Sequence, residues 1–241
     1  METTPTTSTD TKQMFSTPVA IVIAGALVAG ALLYALVWAP KNSGSIGTNP
    51  DANQGTQAVK GIAQVTDKDH FRGDLGKAEF AMVEYSDLEC PYCSSFHPVM
   101  KQLKEEYGDK VVWAYRHFPL SQIHPQALSA SVASECVASA KGEDAFWRFI
   151  DGIYADQAQI GIALFKQLAS KEGISGRDLD ACIAKQDTAK IEAQYNEAIG
   201  AGGQGTPYTV ILDKDGKTVG TFPGAYQYNQ AKAQIDALLA S

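Results

Sequence analysis

The segment VEYSDLECPYC, Val83 to Cys93, constrains this chain more than any other. An apolar and aromatic run from Phe80 to Tyr85 reads as a buried strand. Two cysteines follow at C-x-x-C spacing, Cys90 and Cys93, and beyond them Phe96, Val99, Met100, Leu103 and Tyr107 recur at helical spacing as far as Gly108. The pair therefore sits on the first turn of a helix that leaves a strand. Pro98 predicts a kink rather than a stop, because the apolar periodicity resumes at once. KVVWAYRHFPL reads as a second strand, which makes a βαβ unit with the cysteines at the mouth of its helix.

That placement has chemical consequences. The first turn of a helix presents unpaired N–H groups and the positive end of the macrodipole, which lower the pKa of a thiol placed there and make its sulfur a good leaving group. Cys90 is expected to be the exposed attacking sulfur, and Cys93, one turn in, the buried resolving one. A zinc site needs four ligands at short spacings. The other two cysteines, Cys136 and Cys182, are far from the pair and from each other, and His70, His97, His117 and His124 are scattered, so no metal or other cofactor is expected. An inert buried pair is disfavoured too, since a helix start beside polar SSFH is not core.

From His124 to Gly203 the pattern is helical throughout, with Leu128, Val132 and Cys136 sharing a face and Ser175 with Asp178 forming an N-terminal cap. About 80 residues cannot be a loop, so this insert is a helical layer. TPYTVILD returns to strand, Asp215-Gly216 marks a hairpin, TVGTFPG runs out, and an amphipathic helix closes the chain with Ala231, Ile235, Leu238 and Leu239 facing inward. The order is βαβ, helical insert, ββα, an α/β architecture. A hydrophobic content of 45% suffices for a sizeable core, and a net charge of -7 without a run of Lys or Arg argues against nucleic-acid binding.

Before this domain, Pro18 to Trp38 is 21 residues without a charge. As a helix it spans roughly 30 Å, the thickness of a bilayer's hydrocarbon core. A cleaved signal peptide is the alternative, but Lys12 is the only basic residue ahead of the span, and Ala39, the best small residue after it, is followed by Pro40. The expected organisation is a short tail at 1–17, a transmembrane anchor in the lipid bilayer at 18–38, a flexible Gly-, Asn- and Ser-rich linker at 39–61, and a domain at 62–241 with its insert at about 124–203. Lys12 and Lys41 leave the positive-inside rule nearly tied.

The strand ending in VEYSDLECPYC, the helical insert and GTPYTVILD before a terminal ββα together resemble the DsbA-like thiol:disulfide oxidoreductases of the thioredoxin superfamily, in their membrane-tethered or secreted form. The resemblance covers about Ile62 to Leu239. It implies a thioredoxin fold with a helical insert between its halves, and a cis Thr206-Pro207 peptide facing the cysteine pair, where a trans proline beginning a strand is the alternative. The Thr206 backbone would then hold an extended, cysteine-containing protein substrate in strand fashion. The resemblance also places at Glu84 a partly buried acid that takes the proton from Cys93, against which stands a solvated strand residue. Pro91 and Tyr92 would set the redox potential, but the strongest oxidases of the family resemble CPHC, and Tyr92 supplies no charged imidazole. Glu89 serves the helix dipole while opposing a thiolate at Cys90. Cys136 and Cys182 lie on apolar helix faces as two buried thiols or as a structural disulfide. The even cysteine count, and the second bond that some relatives carry in the insert, favour the disulfide.

The function so implied is a thiol oxidase that introduces disulfides into extracytoplasmic proteins and is itself reoxidised by a membrane redox partner. The extracytoplasmic side follows because a cytosolic thiol pool would keep the pair reduced. CPYC with Thr before proline also suits a disulfide isomerase or reductase, and a tethered peptide-binding chaperone module is a third reading in which Cys90 is dispensable.

Overall fold

The computed structural model describes residues 61–185 and 187–240. The expected tail at 1–17, the anchor at 18–38 and all but the last residue of the linker lie outside them. Among the described residues no helix is long and apolar enough to cross a membrane.

The run read as a buried strand is β2 (Phe80–Ser86), the middle of a five-stranded sheet ordered β1-β3-β2-β4-β5. It pairs in parallel with β3 (Val111–His117) and antiparallel with β4 (Tyr208–Asp213). Both faces of the sheet are covered, so β3 is buried at all seven positions and shows no polar alternation. Side chains still alternate. Met82, Trp113, Tyr115 and Ile211 join the larger core, while Val83, Tyr85, Ala114 and Val210 join the smaller one on the other face. Glu84, two residues from Met82, shares the larger core's face. It stands opposite Tyr115 of β3 and Thr209 of β4 in the middle of the sheet.

The cysteine-bearing helix α1 (Pro91–Tyr107) runs through Pro98 and buries Cys93, Phe96, His97, Met100, Leu103 and Tyr107, one stripe at spacings of three and four. The insert supplies α2 (Ala127–Lys141), α3 (Glu143–Ala155), α4 (Ile162–Lys171), α5 (Gly176–Ile183) and α6 (Ala189–Gly200). Gly142, at a φ of 82°, makes the corner between α2 and α3, where a side chain would be strained. Ser175 caps α5 by accepting from the Asp178 amide. On α2 the buried side is broader than the expected stripe, because small residues such as Ala130, Ser131 and Ser134 let neighbours approach closely. Leu128, at the start of that helix, stays largely exposed.

The chain closes with β5 (Thr218–Phe222), reached by a turn in which Gly216 takes a φ of 80°, and with α7 (Tyr228–Leu239). Ala231 and Ile235 of α7 are fully buried. One strand is absent from the sequence reading. The edge strand β1 (His70–Arg72) is three residues long and pairs antiparallel with β3. Side chains hold it in place: His70 stacks on Phe146 at 3.6 Å, and the Arg72 guanidinium lies 4.3 Å from the Trp147 ring centroid while pairing with Asp151.

Candidate active site

β2 delivers the chain to Ser86, and Asp87 to Glu89 turn it into α1, so that Cys90 occupies the N-cap position in an extended conformation. Pro91 follows at the first helical position, where a missing N–H costs nothing. A capping residue usually offers a side-chain oxygen to the amides two and three residues on. Here those amides belong to Tyr92 and Cys93; no side-chain hydrogen bond closes the cap, and both amides favour a negative charge on the Cys90 sulfur.

The two thiols, both free, have opposite ionisation tendencies. Cys90 is lowered to about 6, first by the hydrogen bond from the Cys93 thiol, then by Thr206 and by the amides of Cys93 and Tyr92, which together outweigh its burial. Cys93 is pushed well above the ordinary thiol value by burial and by the negative charge on Cys90. Its Sγ accepts from the Asp87 amide at 3.4 Å. One proton shared between the sulfurs is therefore held on Cys93, leaving the thiolate on Cys90.

Cys90 is not the exposed sulfur expected from its position at the helix mouth. It is only 3% exposed, whereas Tyr92 is 68% exposed. Tertiary neighbours account for the difference. Cys90 Sγ lies 3.5 Å from the Thr206 carbonyl oxygen, which accepts from it only while the thiol is protonated, and Gln157, just beyond α3, donates to the carbonyls of Leu88 and Cys90 at 2.9 and 3.0 Å. The Thr206-Pro207 peptide is cis. Beside it Thr206, Pro207, Gly205, Pro223 and Gly224 line a cleft of about 400 Å³.

Glu84 is fully buried rather than partly so. Burial raises its carboxyl to about 7, against the opposing hydrogen bonds of Ser86 and Trp113. The Trp113 indole donates to its Oε2 at 2.9 Å. Tyr115 and Tyr154 lie within electrostatic reach of both Glu84 and Cys93, and Ser86 neighbours both, so acid and thiol are near the same side chains.

Cys136 of α2 and Cys182 of α5 are joined by a disulfide that ties two helices of the insert together. It shares no atom with the Cys90 and Cys93 pair.

Three residues beside the pair were not singled out in the sequence: Asp87, His124 and Gln157. Asp87 is fully buried, and its carboxylate accepts from the Glu89 amide, the Leu120 amide and His124 Nδ1, each at 2.8 Å. Asp87 two residues before Glu89 is a local turn signal. Nothing local connects it to His124 or Gln157. The remaining histidines each meet a carboxylate elsewhere, His97 at Asp151 and both His70 and His117 at Glu135. Glu89 accepts from the Gln126 amide rather than facing along the helix axis alone.

Comparison with known proteins places this geometry among relatives. A family model described as thioredoxin matches residues 65–237. The Na(+)/H(+) antiporter NhaA 1 of Mycolicibacterium gilvum is 27% identical over 193 residues, which are 80% of this chain but 30% of that protein. The chain thus spans less than a third of that curated relative. Among solved structures, alpha-DsbA1 of Wolbachia pipientis is similar with a TM-score of 0.62 and 27% identity, over 72% of this chain and 92% of that one. BdbD of Bacillus subtilis, in its oxidised form, shares the fold with a TM-score of 0.63 over 76% of this chain and 98% of that one, at 21% identity.

Proposed function

The chain belongs to the thioredoxin family, and on that premise we propose that it is a protein thiol:disulfide oxidoreductase that works as an oxidase through Cys90 and Cys93. The observation that carries the reading is the split between the two thiols, one lowered to about 6 at a helix N-terminus and the other raised by burial one turn inside.

In the oxidised pair a substrate thiolate attacks Cys90 Sγ. The Cys90–Cys93 bond breaks with its electron pair going to Cys93, which takes up a proton because its own thiolate is disfavoured. A second substrate thiolate then attacks the substrate sulfur of the mixed disulfide, and Cys90 leaves as a stable thiolate. The substrate loses two electrons and two protons, and the pair gains the electrons. Glu84, raised to about 7 by burial on the same face of the sheet, suits the proton transfer at Cys93, giving the proton in this direction and taking it in the reverse one. The Thr206 carbonyl beside Cys90 and the adjoining cleft suit an extended substrate strand. Pro91 and Tyr92 act by shaping the helix mouth. The Cys136–Cys182 bond acts only as a fastening of the insert.

The segment at 18–38 is proposed as the membrane anchor, supported by its uncharged length. With it goes the placement of the domain on the extracytoplasmic side and a membrane partner that reoxidises the pair. Trapping free thiols in intact cells tests the direction. An oxidase pair is found mostly as the disulfide, and a pair found mostly reduced overturns the oxidase reading in favour of an isomerase or reductase. Full activity of a Cys90→Ser protein would overturn thiol exchange itself.

A further inference from the structure

Tyr92 fills the position between the cysteines and points to solvent, so the helix mouth has no charged side chain of its own. A histidine from elsewhere in the chain meets the residue that hydrogen-bonds to both cysteines. Asp87 is the node. Its carbonyl accepts from the Cys90 amide at 3.1 Å, its amide donates to Cys93 Sγ at 3.4 Å, and its buried carboxylate accepts from His124 Nδ1 at 2.8 Å. The Leu120 and Glu89 amides fix the carboxylate's remaining valences, so its orientation is set by three donors from two loops. His124 itself is mostly covered, its side chain 16% exposed.

We infer that His124, oriented by Asp87, is a cation that adds to the hydrogen bonds favouring the Cys90 thiolate and so takes over part of the electrostatic role that a histidine between the cysteines would play. The inference rests on the exchange function proposed above and names a positioning residue for it. The groups facing His124 are Asp87, Glu89 and Cys90. Burial lowers its ionisation, but the hydrogen bond and charge of Asp87 and the charges of Cys90 and Glu89 more than offset that and raise it. Electrostatic coupling is reciprocal: whatever Cys90's thiolate does to the imidazole, the imidazolium does equally to the thiol. Closing the Cys90–Cys93 disulfide removes the negative charge, so His124 must release its proton more readily in the oxidised protein than in the reduced one.

The experiment uses the full chain in both redox states. Thiolate absorbance titrates Cys90 in the reduced wild-type protein, in His124→Gln and in His124→Lys, and proton NMR titrates His124 in reduced and oxidised wild type. In the Gln variant the Cys90 midpoint is expected to rise by about one unit, and alkylation by iodoacetamide at pH 6 to slow about five-fold, because the thiolate is the nucleophile. The Lys variant restores most of the shift, which a merely structural role for the imidazole would not produce. The His124 midpoint is expected to be higher in the reduced protein by the same amount. That last measurement needs no variant and holds even if the Gln protein fails to fold. An unchanged Cys90 midpoint in folded His124→Gln, or identical His124 titrations in the two redox states, overturns the inference and leaves the exchange function standing. A Cys90 that ionises like an ordinary thiol in wild type overturns both.

Discussion

Glu84→Gln separates what the buried acid does for chemistry from what it costs the fold. The unfolded chain releases the Glu84 proton near the ordinary 4.5, and the folded protein holds it to about 7 because ionisation would leave a charge in the core. Below 4.5 both states carry the proton and titration contributes nothing. Between the two values the folded protein retains a proton that the unfolded chain has lost, so stability falls as pH rises, and above 7 the loss is complete. A gap of about two and a half units, at ~1.4 kcal/mol per unit, makes this loss about 3.5 kcal/mol. Glutamine keeps an oxygen for the Trp113 indole and cannot ionise. Any cost of its extra amide protons is the same at every pH. Subtracting wild-type from variant stability, measured by urea unfolding from pH 4 to 9 with the cysteine pair oxidised in both, therefore isolates the titration. The difference should climb through pH 4.5 to 7 and level off with the variant favoured by about 3.5 kcal/mol relative to its value at pH 4. The same substitution should slow resolution of a mixed disulfide on the order of 10²-fold, as loss of a positioned proton carrier does. A difference that stays flat with pH would refute the reasoning, since it would mean that Glu84 ionises as easily inside the sheet as in water.

Replacing both Cys136 and Cys182 with alanine opens a loop closed over a sequence separation of 46; chain entropy puts the loss at about 4 kcal/mol by urea unfolding, with thiol exchange at Cys90 unchanged. A loss below about 1 kcal/mol would show that the unfolded chain is already confined there. Arg116, buried on β3, donates to Asp69 at 2.8 Å and to Glu197 at 2.7 Å, joining the stretch before β1 and helix α6 to the sheet. Arg116→Met should cost about 3 kcal/mol by the same assay, because two carboxylates lose their buried partner, and a neutral result would show that both carboxylates reach water in the variant.

The sequence determined what depends on near neighbours along the chain. The strand from Phe80, the helix start beside Cys90, the Ser175 cap and the turn at Gly216 all follow from residues within about one helical turn or one hairpin of each other, and all four are present. So is the order βαβ, helical insert, ββα. Tertiary structure decided what depends on which distant segments meet. Seven alternating positions of β2 could not say which face Glu84 takes, because both faces are buried; the register with Tyr115 and Thr209 puts it on the face of the larger core, which also holds Cys93. β1 was too short to signal itself, being held by side chains of α3 more than by its own three residues. The burial of Cys90 comes from Thr206, far along the chain, and the Asp87–His124 contact from a loop beyond β3. Helix periodicity propagates through hydrogen bonds four residues apart, whereas these contacts form only once the sheet has fixed the relative positions of its strands, and no local pattern encodes that.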